Sequence, residues 1–477
     1  MGMAEEFKKG IFYSALGKYS NVVIQLLVTA ILSRILTPDE YGIVAVVNVF
    51  LIFFQMLADF GIGPAIIQNK TLTKQEINSI FGFSLYLALF LGIIFAFAGY
   101  PISAFYNNQV YRPISIVLAV TLFFYGILVV PQSILLREKR FSTVNIVMIL
   151  ANIAAGVVSV VLAINEFSYY SLIISNTVKA ALLFSIFYMK TNLKAQLKID
   201  KKPLKKIFSF SKNQFLFNFI NYFSRNLDSV LIGRYLSSSS LAFYDKAYQV
   251  SLYPNQILTN VISPVIQPIM SNYETDYKKI KDVYLKITSI LATIGLPLSV
   301  FLFFNSNEII LFLFGNQWGD SVITFQILAL SVWIQMISSS SGAIFQSANR
   351  TDLLLLSGIL SAIVTVTAIT IGVIAGSIES VALMVVLAFT INFIQMNYLL
   401  MYRLFQSNFE GVIKVLIKPI IMALIQAVFF LVVPSLPFAN FINLVIYGIA
   451  FIVLFFIGLL VTGQLKLLKE LISKKNK

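Results

Sequence analysis

Along most of this chain, apolar residues come in long runs rather than in alternation. A helix needs about 20 largely apolar residues to cross a bilayer, and windows of that length fall near 11–35, 41–68, 77–99, 113–136, 141–164, 168–189, 207–236 and 241–270. Six more fall near 283–304, 321–347, 351–375, 378–402, 411–433 and 440–462. The pattern predicts an all-α polytopic membrane protein with about fourteen transmembrane helices.

Three of the runs carry a polar stripe. In the seventh, Gln214, Asn218, Asn221, Arg225 and Asp228 are spaced four, three, four and three apart, which puts them on one helix face. Ser14, Lys18, Asn21, Gln25 and Thr29 repeat the device in the first run, and Gln249, Tyr253, Gln256, Asn260 and Ser263 in the eighth. Ionised side chains are costly in lipid, so such faces look into a bundle interior or a water-filled cavity. Amides and hydroxyls suit a sugar. Lys18, Lys179, Arg225 and Lys246 would make the cavity cationic, with Arg34 and Arg234 at its outer rim, and this predicts an anionic passenger such as a phosphate or acidic sugar. Two plainer readings stand beside it: Arg225 and Asp228 can neutralise each other one turn apart, and Lys18 and Lys246 can snorkel to the headgroups. Asp59 and Asp228 are the acids deep within spans, candidates for sodium or proton coupling or for structural pairing, Asp228 alongside Asn392 and Gln395.

Charge settles orientation and narrows the chemistry. The 477 residues contain no histidine and no cysteine, which excludes His- or Cys-based zinc sites, thiol and imidazole nucleophiles and disulfides. Neither a P-loop nor an HExxH occurs, so no catalytic residue, metal or cofactor is expected. A net charge of +15 reads here through the rule that cytoplasmic loops collect Lys and Arg, not as nucleic-acid binding. One side receives Lys8, Lys9, Lys70, Lys74, Arg137, Lys139 and Arg140, the lysines of 190–206, Lys278, Lys279, Lys281, Arg350, Arg403 and the tail. Between spans, the other side receives Arg112. Both termini are therefore expected in the cytoplasm, and the charged start MGMAEEFKKG is too short for a cleavable signal peptide.

The chain also repeats itself. At an offset of 200, Ile31–Thr37 falls on Leu231–Ser237 and Pro64 on Pro264, and Arg140-Phe141-Ser142 parallels Arg350-Thr351-Asp352 at an offset of 210. Six spans per copy is even, so the copies enter the membrane from the same side as parallel repeats. The expected organisation is an N-lobe at 1–189 (spans one to six), a basic cytoplasmic linker at 190–206 and a C-lobe at 207–403 (spans seven to twelve). Two extra C-terminal helices follow at 411–462 and a basic tail at 463–477. Rocking of lobe against lobe would place hinge motion at the linker and at Pro64, Pro131, Pro254, Pro264 and Pro297.

The segments KGIFYSALGKYSNVVIQ, LSRILTPDEYGIVAVVNVF and LADFGIGPAIIQ resemble the polysaccharide transporter, or Wzx-type oligosaccharide flippase, family of the MATE-like MOP superfamily. The resemblance runs through the whole chain, and LTPDEYG is its most specific part, with Pro38 ending one helix and Asp39 and Glu40 placed to cap the next. It implies a multi-pass carrier of a bacterial cell membrane. Such a carrier turns over a polyprenyl-diphosphate-linked oligosaccharide from the cytoplasmic to the outer leaflet by alternating access, for O-antigen, capsule, teichuronic acid or exopolysaccharide. Sodium or proton coupling is implied for some members, as is a pathway shared with a polysaccharide polymerase and glycosyltransferases. Carried onto this sequence, the residues that engage the diphosphate are Lys18, Arg34, Arg225 and Arg234. A multidrug or metabolite antiporter of the same architecture would want an acid-centred aromatic cavity, and a membrane glycosyltransferase or polymerase a large outer loop. The charges here are mixed with a basic excess, and the outer loops near 100–112 and 305–320 are short.

Overall fold

The computed structural model describes residues 3–196, 200–270, 273–433 and 436–465. All of its regular elements are helices. The first half holds α1 (Met3–Ile35), α2 (Pro38–Asp59), α3 (Ile62–Gln68), α4 (Lys74–Tyr106), α5 (Tyr111–Arg137), α6 (Phe141–Ile164), α7 (Tyr170–Lys190), α8 (Lys201–Tyr235) and α9 (Ser238–Met270). The second holds α10 (Tyr277–Phe304), α11 (Ser306–Phe314), α12 (Ser321–Ala329), α13 (Val332–Ser338), α14 (Ser341–Ser347), α15 (Thr351–Ile374), α16 (Ile378–Tyr398), α17 (Glu410–Val432) and α18 (Asn440–Val461). A π-helical turn, Leu399–Leu404, continues α16.

Among the described residues, ten helices are long and apolar enough to cross a membrane, or eleven if α12 and the α13–α14 pair, bent by 49°, form one span. The protein is thus an all-helical, multi-pass membrane protein, with fewer such spans than the fourteen expected. Helices stand at the other three expected positions too: α1, α8 and α9, the three whose sequences carry polar stripes. The fully described part of α1, Tyr19–Ile35, is apolar but shorter than a span.

Local sequence explains where helices start and break. Thr37 and Thr73 each close a capping box, with Glu40 and Glu76 respectively, and Pro38 occupies a first-turn position where a missing N–H costs nothing. Asp200 caps α8 through the Lys202 N–H at 2.9 Å, and Asp276 caps α10 through the Lys279 N–H at 3.0 Å. Between α2 and α3 the chain turns left-handed at Phe60 (φ 41°) and Gly61 (φ 71°), which interrupts a single apolar run.

The chain divides into two compact units inside α9, Met1–Ala242 and Phe243–Lys477. Within the first, α4 packs on α5, α7 on α5 and α6, α1 on α6, and α8 on α2, α3 and α4. Its core joins Ile62 and Ile66 of α3, Ile80 and Phe81 of α4, Ile127 and Val130 of α5, and Ile207 of α8. Within the second, α10 packs on α12, α13 and α17, α16 on α12, α13 and α15, and α18 on α11 and α17.

Helix ends follow the repeat offsets. Helices α1 and α8 end at Ile35 and Tyr235, α2 and α9 start at Pro38 and Ser238, and α6 and α15 span Phe141–Ile164 and Thr351–Ile374.

Candidate functional site

On α1, Asn21 Oδ1 accepts from Asn152 Nδ2 of α6 at 2.7 Å, while Gln25 is exposed. The two helices approach closely: a Cβ on Gly156 would lie 2.5 Å from Val28 Cγ2. Part of the α1 stripe therefore serves the contact with α6. Arg34 lies exposed in the last turn of α1. The side chains of Lys18, Asn218, Asn221 and Arg225 lie outside the described residues.

Lys179 of α7 is half-buried, three residues from a polar seam that the stripes did not reveal. There Tyr125 OH of α5 donates to Asn176 Oδ1 at 2.9 Å, and the hydroxyls of Thr121 and Thr177 lie 2.5 Å apart. These residues are scattered singly along apolar spans, and the signal that could have found them is an amide or tyrosine at matching depth in two neighbouring spans.

The two acids sit differently. Asp59 ends α2 at the break, and its Oδ1 accepts the Gly63 N–H at 3.1 Å, so it caps the restart of the helix at α3. Ser211 of α8 donates to the Gly61 carbonyl at 3.3 Å across the same break. Asp228 of α8 is buried, with its Oδ1 accepting the Ser229 N–H at 2.8 Å.

Helix α8 meets α2 and α3 through an aromatic face. Phe215 stacks on Phe60, with centroids 5.0 Å apart, while Phe219 and Tyr222 pack on Phe53. The hydroxyl of Tyr222 donates to the Val49 carbonyl. At the end of α8, the Arg234 guanidinium lies over the rings of Phe105 at 5.4 Å and Tyr235 at 5.7 Å. In the second unit, Lys246 of α9 is buried with its ammonium 5.3 Å from the Phe314 ring and 5.4 Å from Trp318. That setting places it beside two aromatic rings.

The turns that join α1 to α2 and α8 to α9 hold a contact that no stripe announces. Asp39 Oδ1 accepts from Ser238 Oγ at 2.6 Å and from Ser239 Oγ at 3.2 Å, joining the α1–α2 turn to the α8–α9 turn. Glu40 reaches a third corner: its Oε2 accepts the Thr37 N–H at 2.7 Å, and its Oε1 accepts from the Ser168 hydroxyl before α7. The fit is tight, since a Cβ on Gly42 would lie 2.0 Å from the Ser238 carbonyl oxygen.

Residues 31–323 match the family model described as polysaccharide biosynthesis protein. The teichuronic acid biosynthesis protein TuaB of Bacillus subtilis is 22% identical over 423 residues, covering 87% of this chain and 86% of that protein. The lipopolysaccharide biosynthesis protein WzxC of Escherichia coli is 23% identical over 383 residues, covering 78% and 76%. Among solved structures, the lipid II flippase MurJ in an inward closed conformation aligns with a TM-score of 0.76, over 93% of this chain and 98% of that one, at 14% identity. The chain shares that fold.

Proposed function

Because the chain belongs to the polysaccharide biosynthesis protein family, we propose that it carries a polyprenyl-diphosphate-linked oligosaccharide from the cytoplasmic to the outer leaflet of a bacterial cell membrane. The observation that carries this reading is the placement of the polar stripes. They lie on α1 and α8, which the repeat sets in equivalent places, and on α9, the counterpart of α2, while ten other helices among the described residues are long and apolar enough to cross a membrane. A charged headgroup meeting hydrocarbon alone would face a prohibitive loss of hydration. Amides, hydroxyls and guanidinium groups replace that hydration with hydrogen bonds, and Arg recognises phosphate oxygens in pairs.

In this reading the chain crosses the membrane fourteen times with both termini in the cytoplasm, and the lobes at 1–189 and 207–403 are parallel repeats. The packing within each unit supports the repeat: α5 and α6 both pack on α7, as α12 and α15 both pack on α16, and α4 packs on α5 as α10 packs on α12 and α13. Lys18, Asn21, Gln25, Asn218, Asn221, Arg225 and Arg234 serve the passenger. Arg34, Lys179 and Lys246 have weaker support, Lys246 least of all because aromatic rings already surround its ammonium. Asp228 is the better candidate for ion coupling, since Asp59 is engaged in capping α3.

The test is Arg225→Ala combined with Arg234→Ala, followed by measurement of polymer export in cells. Export is expected to fall at least about tenfold, equivalent to roughly 1.4 kcal/mol of lost stabilisation. Undiminished export at normal protein level overturns the cationic site. Orientation is separately testable because the chain lacks cysteine. A single cysteine at position 194 is expected to react with an impermeant maleimide only after cells are permeabilised.

A further inference from the structure

The described residues of the basic connection, 190–196 and 200–206, run along α4. Lys194 N–H donates to Asn78 Oδ1 at 3.1 Å, Gln196 N–H to the Asn78 carbonyl at 3.4 Å, and Asp200 N–H to Ser79 Oγ at 3.1 Å. Gly82 permits this, because a Cβ there would lie 1.9 Å from the Gln196 carbonyl oxygen. Leu193 and Ile207 are buried in the same core as Phe81 and Ile66. A connection held in this way does not serve as the loose hinge that its composition suggests.

The lysines face the other way. Lys190, Lys194, Lys202 and Lys205 are exposed, and none forms an ion pair among the described residues. The nearby acids are already engaged: Glu76 pairs with Lys206, and Asp200 accepts the Lys202 N–H at the head of α8. Two apolar side chains flank the lysines with most of their surface uncovered, Met189 at 72% and Phe208 at 55% exposure.

We propose that this strip is a fixed binding surface for anionic phospholipid headgroups, with Met189 and Phe208 among the acyl chains. The juxtaposition selects a lipid over a nucleic acid or acidic peptide. The lysines sit where α7 leaves and α8 enters the apolar layer, so any ligand contacting all four must tolerate hydrocarbon beside its phosphate. Pinning the backbone to α4 removes much of the ordering cost that a free linker would incur on binding. The proposal rests on the cytoplasmic orientation given above. Its test reads lipid binding and not export, so the two can fail independently.

The experiment uses the full chain purified in an uncharged detergent, with dioleoyl phosphatidylglycerol or dioleoyl phosphatidylcholine added at equal concentrations. Phosphatidylglycerol is expected to raise the thermal unfolding midpoint by at least about 3 °C more than phosphatidylcholine, increasing with lipid concentration. The excess should vanish in about 0.5 M salt, where charge attraction is screened. The variant carrying Lys190→Gln, Lys194→Gln, Lys202→Gln and Lys205→Gln is expected to lose the difference, and its four-arginine counterpart to keep it. Gly82→Val, which unseats the connection without removing charge, should weaken it. An equal response of the wild-type chain to both lipids overturns the proposal, as does a glutamine variant that responds like wild type. Should the glutamine variant fail to accumulate, a salt-insensitive response of the wild-type chain decides against it equally.

Discussion

The turn from α1 into α2 and the turn from α8 into α9 stand 200 residues apart, the offset at which the helix ends recur, yet different chemistry builds them. The first is Thr37-Pro38-Asp39-Glu40, stiffened by proline and a closed capping box and bearing two carboxylates. The second is Ser237-Ser238-Ser239-Ser240, where Ser237 Oγ accepts the Ser240 N–H at 2.9 Å and no residue is charged. They touch, with the acid of one accepting the hydroxyls of the other. Two identical turns could not do this, because a second aspartate would set carboxylate against carboxylate. Divergence at these four positions turns a repeated corner into two complementary halves, and Gly42 clears the space the second half occupies.

The largest expected effect comes from filling that space. Gly42→Val would drive a side chain into the Ser238 backbone, which no rotamer change can relieve, at a cost of about 3 kcal/mol or more if the turns stay together. Loss of polymer export is expected, along with faster reaction of an impermeant thiol reagent with a cysteine at position 239, which is half-buried while the turns meet. A valine variant that exports normally, with the reactivity at position 239 unchanged, would show that the turns need not meet. Next in size is Ser238→Asp, which restores the symmetry the two turns have lost. Repulsion between it and Asp39 is expected to open the contact between the turns and raise the same reactivity, and adding Asp39→Ser should reverse the change by exchanging the partners. Failure of that rescue would mean the pair acts through something other than its complementary hydrogen bonds.

How far the sequence reveals this molecule depends on whether lipid or tertiary neighbours dictate the feature. Lipid demands uninterrupted apolar runs, so α6 occupies the same 141–164 window that hydropathy marks. The break at Phe60 and Gly61 stays hidden because both residues suit an apolar run and the left-handed turn depends on Asp59 and Ser211. The polar stripes are visible as spacing, but their partners are not: Asn152 comes to Asn21 across 131 positions. The surroundings of Lys246 are hidden for the same reason, since the rings beside it belong to Phe314 and Trp318, far along the chain. The 190–206 segment has the composition of a free linker, and the residues that seat it, Asn78 and Ser79 by their side chains and Gly82 by lacking one, lie on α4.

The smallest effects sharpen the comparison of the two turns most finely. Thr37→Ala removes the hydroxyl that accepts the Glu40 N–H at 3.3 Å and donates to Glu40 Oε2 at 2.9 Å, and the other oxygen of that carboxylate holds Ser168. Its loss should cost about 1–2 kcal/mol, the upper part of the range for a helix N-cap, because releasing Glu40 also loosens the corner before α7. Ser237→Ala removes a cap whose partner, Ser240, is itself a neutral side chain on the same turn, and should cost nearer 0.5 kcal/mol. Thermal unfolding of the two purified variants in one detergent reads the difference directly. If Thr37→Ala lowers the midpoint clearly more than Ser237→Ala, the acidic turn is the rigid half against which the serine turn rests. Equal shifts would mean that both turns are ordinary caps, and that the contact between them draws its stability from the close fit at Gly42 alone.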